Sequence, residues 1–133
     1  MLGWDNFLNI NIKTVKTIYR ILYANLDRSR EGLRVIEEWC RFGLENPSLS
    51  AQCKQLRQEL GAWHKDEYRL ARNTLTDVGT SLTHAQEEQR QDINAVLSAN
   101  LARVQEALRV LEEYSKIDNP DMSLAIKQMR YQV

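Results

Sequence analysis

The chain carries one phrase twice. Ala24-Asn25-Leu26-Asp27-Arg28-Ser29-Arg30-Glu31-Gly32-Leu33-Arg34-Val35-Ile36-Glu37-Glu38-Trp39 returns 75 residues later as Ala99-Asn100-Leu101-Ala102-Arg103-Val104-Gln105-Glu106-Ala107-Leu108-Arg109-Val110-Leu111-Glu112-Glu113-Tyr114, with ten of sixteen positions identical. An echo follows at an offset of 73, where Asn46-Pro47 matches Asn119-Pro120 and Lys54-Gln55-Leu56-Arg57 matches Lys127-Gln128-Met129-Arg130. This is a tandem duplication of a unit of roughly sixty residues, and it restricts the fold severely, because whatever one copy forms the other must form too.

Each copy reads as a helical hairpin. From about Thr14 the apolar residues fall at a helical period, with Val15, Ile18, Leu22, Leu26, Leu33, Ile36 and Cys40 on one face. Gly43 is the natural end of this first helix. Asn46 can cap the second, and Pro47 suits its first turn, where the missing N–H has no intrahelical partner. Leu49, Cys53, Leu56, Leu60 and Trp63 then form a seam for antiparallel packing, on a helix expected to run to about Arg72. The stretch 73–83 is the one long connection, and Thr83 with Gln86 reads as a capping box opening the third helix. That helix uses Ile93, Val96, Leu97, Leu101, Val104, Leu108 and Leu111 and ends near Lys116. Asn119-Pro120 opens the fourth, whose seam is Met122, Ile126, Met129 and Val133. Residues 1–13 have no clear period and read as an irregular lead-in. The expected fold is all-α: one domain over 1–133, with repeat 1 at about 15–72, a loop at 73–83 and repeat 2 at about 84–133. Two αα-hairpins related by an internal pseudo-twofold would make a four-helix bundle.

Bulk properties narrow the function. With 133 residues there is enough chain for one core. Net charge is zero, which argues against a nucleic-acid footprint or a polybasic membrane anchor. No apolar run reaches the roughly 18 residues of a membrane span. The N-terminus lacks the charged start and apolar stretch of a signal peptide, so the expected compartment is the cytoplasm. Cys40 and Cys53 have no metal-ligand spacing and read as buried, reduced thiols. Phosphate loops, dinucleotide fingerprints, zinc-protease motifs and a nucleophilic triad are all absent from the sequence. Any phosphate must therefore be held by Arg and Lys side chains and helix N-termini.

On a helical wheel, Asn25 and Arg28 fall within the arc that should be apolar, as do Asn100 and Arg103. Glu31, Glu38, Glu106 and Glu113 lie on its rim, while Asp27, Arg30, Arg34 and Glu37 point to solvent. A buried Asn or Arg costs several kcal/mol unless partnered. Two explanations fit: an internal network in which Arg28 and Arg103 pair with glutamates across the pseudo-axis, or a polar cleft between the repeats. Gly32, with Ala107 in the other copy, marks a close approach of a helix or a ligand. Trp39 and Tyr114 are most simply core aromatics. Glu37, Arg41, Glu112 and Lys116 read as surface pairs. His64 reads as packing or surface, and His84 sits at a helix start.

These residues carry a resemblance. The stretch 19–42, from Tyr19-Arg20-Ile21-Leu22-Tyr23 through the first phrase to Trp39-Cys40-Arg41-Phe42, resembles the helical domain fused ahead of some bacterial thiamine-phosphate synthases. The likeness continues through Cys53-Lys54-Gln55-Leu56-Arg57, Ala71-Arg72-Asn73-Thr74, Asp77-Val78-Gly79-Thr80, Gln89-Arg90 and the second repeat. It implies a domain similar to monofunctional hydroxymethylpyrimidine phosphate kinases, which use ATP and Mg²⁺ to make the diphosphate that the synthase consumes. The (β/α)₈ barrel synthase of longer relatives is missing from this sequence, and Asn73 stands where the family pattern has Asp. The implied substrate is hydroxymethylpyrimidine phosphate, and the implied partner is the synthase barrel.

Such a reaction needs little from the protein beyond charge and position. Its nucleophile is a phosphate oxygen with a second pKa of about 6, so no strong general base is required. Under this reading Arg28, Arg103, Glu31 and Glu106 form the catalytic set. Asn25, Asn100, Lys54, Arg57, Arg72, Lys127 and Arg130 hold substrate and phosphate, and Glu38 and Glu113 hold Mg²⁺. Two other readings compete: a non-catalytic module that docks on or tethers the synthase, and a structural helical protein that dimerises through its apolar seams.

Overall fold

A computed structural model describes residues 14–72, 77–79 and 89–133. The lead-in at 1–13, Asn73, His84 and the Thr83/Gln86 capping box lie outside the described residues. Among the described residues there are five α-helices and no strand: α1 Thr14–Glu38, α2 Pro47–Ala62, α3 Asp66–Ala71, α4 Ile93–Asp118 and α5 Pro120–Gln132. Helices α2 and α3 pack on α1, α5 packs on α4, and the two halves meet chiefly through α1 and α4.

Helix α1 buries Ile18, Leu22, Leu26 and Leu33 at helical spacing. The buried stripe starts at Ile18, since Val15 is 57% exposed. A single π-helical turn, Trp39–Gly43, continues α1. It closes with Leu44 N–H donating to the Trp39 carbonyl at 2.9 Å and Asn46 N–H to the Cys40 carbonyl at 2.9 Å. Gly43 does not supply the expected left-handed cap; Glu45 takes the positive φ, at 49°. Glycine is required at 43 for space, because a Cβ there would sit 2.5 Å from the Trp39 ring.

Asn46 and Asn119 do cap as expected. Asn46 Oδ1 accepts from Leu49 N–H at 3.0 Å and Asn119 Oδ1 from Met122 N–H at 3.3 Å, each with proline next in the chain. Helix α4 opens on Asp92, whose Oδ1 accepts from Ala95 N–H at 2.8 Å. It runs two residues past Lys116, to Asp118.

The second helix stops at Ala62 rather than Arg72. Tight bonds from Trp63 N–H to the Leu60 carbonyl and His64 N–H to the Gly61 carbonyl end it, Lys65 is extended, and α3 restarts the helix. The break serves a distant partner. It brings Tyr68, fully buried, onto Tyr19 with ring centroids 5.1 Å apart, and the Tyr68 hydroxyl donates to Asp118 Oδ2 at 2.5 Å. Burial first, and then that bond, push the Tyr68 phenol far above its ordinary pKa.

The α1–α4 crossing is antiparallel. Gly32 meets Asn100 and Val104 near the middle, while Tyr19, early in α1, reaches the end of α4 through Tyr68 and Asp118. The approach at Gly32 is close: a Cβ would lie 2.7 Å from Val104 Cγ2 and 3.1 Å from the Asn100 carbonyl oxygen. Leu22, Leu26, Leu60, Leu111, Met122 and Ile126 fill the core around the crossing. Several expected core residues lie at its edge instead. Leu49, Ile93 and Leu101 are exposed by about two-fifths, and Tyr114 is no core aromatic, at 41%. Cys40 is buried and Cys53 half-buried, and both are free thiols. Burial, with Cys40 alongside, pushes the Cys53 thiol up to about 11.

Candidate functional site

Where α1 crosses α4, a groove of about 510 Å³ opens over the first copy of the phrase. Among the described residues its polar lining includes four arginines, Arg20, Arg28, Arg72 and Arg103, against three carboxylates, Asp27, Glu31 and Asp77. The two repeats interlock here. Arg103 from α4 reaches Glu31 on α1 at 3.6 Å, and Arg28 Nη1 donates to Asn25 Oδ1 at 3.4 Å. Arg103 and Glu31 are each more than half exposed, so the pair is solvent-screened and contributes little stability.

This alters the wheel's picture in one respect. Asn25 is buried, at 5% exposure, but Arg28 and Arg103 are exposed in the groove rather than enclosed in the apolar arc. The long arginine stems carry the guanidinium out to water from backbone positions near the core. The asparagines solve their own burial: Asn25 Nδ2 donates to the Ile21 carbonyl at 2.9 Å and Asn100 Nδ2 to the Val96 carbonyl at 2.8 Å, each one turn back.

One wall of the groove is a relay of ring and charge contacts. Arg72 lies over the Tyr23 ring at 5.7 Å, with Nη1 donating to the Tyr23 hydroxyl at 3.4 Å. The Tyr23 ring meets His64 edge-on at 5.5 Å, and His64 Nε2 sits 3.3 Å from Asp27 Oδ1. Burial lowers the His64 pKa against the opposing pull of the Asp27 charge. His64 thus braces the wall by packing.

The second half of the phrase has a different role. Glu37 and Glu112, placed on the solvent side by the wheel, are buried at 7% and 4%. Arg57 from α2 grips Glu37 with two bonds, Nε to Oε1 at 3.1 Å and Nη2 to Oε2 at 3.0 Å. Arg130 from α5 donates from Nε to Glu112 Oε1 at 2.9 Å. Arg34 and Arg109 add flanking contacts, and they hold Glu38 at 2.9 Å and Glu113 at 3.0 Å. The bond from Arg130 holds the Glu112 carboxyl below its ordinary pKa against the cost of burial. These are hairpin clamps, which a wheel of one helix cannot show because the covering residue comes from another.

Of the residues chosen from sequence, Asn25, Arg28, Glu31, Arg72 and Arg103 converge on the groove, and Glu106 lies in the space beyond Arg28 and Arg103. Arg57, Arg130, Glu38 and Glu113 are committed to the clamps, and Lys54 and Lys127 are exposed elsewhere. Among the described residues no group of three or more His, Cys, Asp or Glu side chains is placed to hold a metal ion. Arg20, Tyr23, Asp27 and Asp77 were missed as site residues. All four stand in the stretches that carry the resemblance, which is the signal the sequence offers for them. No described helix is long and apolar enough to cross a membrane.

Residues 20–133 match the model of the ThiD2 family. The chain is 64% identical over 118 residues to a thiamine-phosphate synthase of Nostoc punctiforme, covering 89% of this chain and 34% of that protein. It is 63% identical over 116 residues to a thiamine-phosphate synthase of Synechocystis sp., covering 87% and 34%. With a thiamine-phosphate synthase of Gloeobacter violaceus it shares 52% over 118 residues, covering 89% and 35%. The chain spans about a third of the length of the curated relatives it matches. No solved structure matches it. What it resembles in those synthases is an N-terminal helical domain, and the chain belongs to the ThiD2 family.

Proposed function

We propose that the chain serves thiamine biosynthesis in the cytoplasm, as a helical module that works with a thiamine-phosphate synthase barrel and binds a phosphorylated pyrimidine in the α1–α4 groove. The observation that carries this is that Arg28 and Arg103, one from each repeat, line one groove together with Asn25. Two guanidiniums from opposing helices suit a phosphate, which they can hold through paired N–H donors. In this reading the hairpins are two copies about a twofold axis through the Gly32 crossing, closing a four-helix bundle.

The leading form of the proposal is a binding module that docks on the barrel or pairs two copies of it. Its support is that the relatives quoted above are thiamine-phosphate synthases with a further two-thirds of chain beyond the matched part. A second form is catalytic, the phosphorylation of hydroxymethylpyrimidine phosphate by ATP and Mg²⁺. The arginine content of the groove favours it, since repulsion between two polyanions is the chief barrier to such a transfer.

Calorimetric titration with hydroxymethylpyrimidine phosphate and a coupled ADP-release assay separate these forms. Binding without turnover supports the module. Turnover that falls about tenfold or more in Arg103→Ala, with helicity retained, supports the kinase. If the folded wild-type chain binds no hydroxymethylpyrimidine phosphate, the groove assignment is wrong.

A further inference from the structure

A smaller cavity, of about 290 Å³, opens between α1 and the turn that leads into α3, and among the described residues it shares only Tyr23 and Asp27 with the groove. Its charges do not balance. Arg30, Lys65 and Arg69 line it against two carboxylates, Asp27 and Asp66. Asp66 already holds Arg69 at 3.3 Å, and Asp27 lies 3.3 Å from His64. Lys65 stands over the Tyr68 ring at 5.6 Å. Arg30 is left over. Among the described residues it has no hydrogen-bond or ion-pair partner, and its Nε is enclosed, so the charge is partly desolvated as well as unpaired. The guanidinium is nonetheless held in place: it lies against α2, with Cζ 3.5 Å from the point where a Cβ on Gly61 would stand. The second copy has Gln105 at the position of Arg30, so the repeated helix can be built around a neutral residue and its packing does not require the charge.

A half-buried guanidinium without a counter-charge is costly to hold. We propose that this cavity binds the carboxylate of a small organic acid, seated between Arg30 and Lys65. The site does not depend on the reading of the groove. Charge selects the ligand. Three cations against two carboxylates leave one positive charge, which a monoanion neutralises. A phosphate group, with a second pKa of about 6, brings nearly two negative charges and meets Asp27 and Asp66 at the rim. The planar guanidinium fork suits a carboxylate, and because Nε is enclosed the acid engages the Nη nitrogens. Tyr23 and His64, with ring centroids 5.5 Å apart, make an aromatic wall against which an apolar body can lie. The volume limits that body to about the size of one ring. Tyr23 and Asp27 line the groove as well, so a bound acid stands one side chain away from that space.

The test titrates the intact chain with benzoate, with benzyl alcohol as its uncharged counterpart and inorganic phosphate as the more highly charged anion. The His64 imidazole resonances are followed by NMR and assigned by their loss in His64→Gln. Benzoate should move them in a saturable way, with a Kd on the order of millimolar. Benzyl alcohol should give no saturable shift, and phosphate should act at least about tenfold more weakly. Arg30→Gln places the second copy's residue in the first. It should keep its helicity, checked by circular dichroism, and weaken benzoate by about tenfold or more. Lys65 is exposed, so Lys65→Gln should also fold, and it should weaken benzoate by about threefold. The proposal is overturned if benzoate leaves His64 unmoved, if benzyl alcohol or phosphate matches it, or if the folded Arg30→Gln variant binds benzoate as wild type does. Should Arg30→Gln unfold, Lys65→Gln decides: unchanged affinity there overturns the site, and the expected loss upholds it.

Discussion

The two halves of the repeated phrase behave differently. Its C-terminal half builds the same device twice: Arg34, Glu37 and Glu38 with Arg57 in one hairpin, Arg109, Glu112 and Glu113 with Arg130 in the other. Its N-terminal half keeps Arg28 and Arg103 but changes what surrounds them, from Arg20 and Asp27 to Ala95 and Ala102. The difference follows from burial. A carboxylate taken out of water needs its cation, so the clamp tolerates no drift. Charged side chains that open into a groove carry less of the packing than a buried pair, so they are freer to change with whatever they contact.

Substitutions can break that comparison or sharpen it. The largest effect should come from Arg57→Met, which strands the Glu37 carboxylate and should cost about 3 kcal/mol, read from the shift in urea midpoint. Replacing both partners, Arg57→Met with Glu37→Leu, should recover most of that loss, whereas a double variant as unstable as the single one would show that the pair does more than neutralise itself. Arg130→Met should destabilise as well; if it does not, the two clamps are not equivalent. Next in size are the helix caps. Asn46→Ala and Asn119→Ala should each cost about 1 kcal/mol, and a clear inequality would locate a difference in the turns. Smallest is a pH effect at the second clamp. The folded Glu112 carboxyl titrates below its ordinary value of 4.5. Its contribution is therefore complete above that value and is lost as pH falls through the lower folded one. Melting temperatures taken downward from about pH 6 should fall less steeply in Glu112→Gln than in wild type.

What the sequence disclosed were relations between near neighbours. The two capping asparagines act over three residues, and the buried Asn25 is visible on a wheel of its own helix. The repeat itself announced two hairpins. Relations that depend on a second element stayed hidden. Glu37 looks solvent-facing until α2 swings Arg57 over it. Residues 63–65 contain no proline or glycine to mark the break before α3, whose cause is a tyrosine that finds its partner fifty residues further on. The groove was half legible for a related reason. Arg28 and Arg103 stood out because both copies kept them, whereas Arg20 and Asp27 were inconspicuous because the second copy had discarded them.

One oddity of the repeat, its offset dropping from 75 to 73, has a mechanical reading. The clamp spans 20 residues in the first hairpin and 18 in the second, yet both close. The first spends its two extra residues on the π-helical turn and the left-handed Glu45, while the second passes from Asp118 through Asn119 directly into α5. The first bend therefore holds two more residues than the second, both within a hydrogen-bonded turn. A short insertion or a grafted loop belongs at the exposed Leu44 and Glu45, whereas the same graft at Asn119 would break the cap that opens α5 one residue after α4 ends.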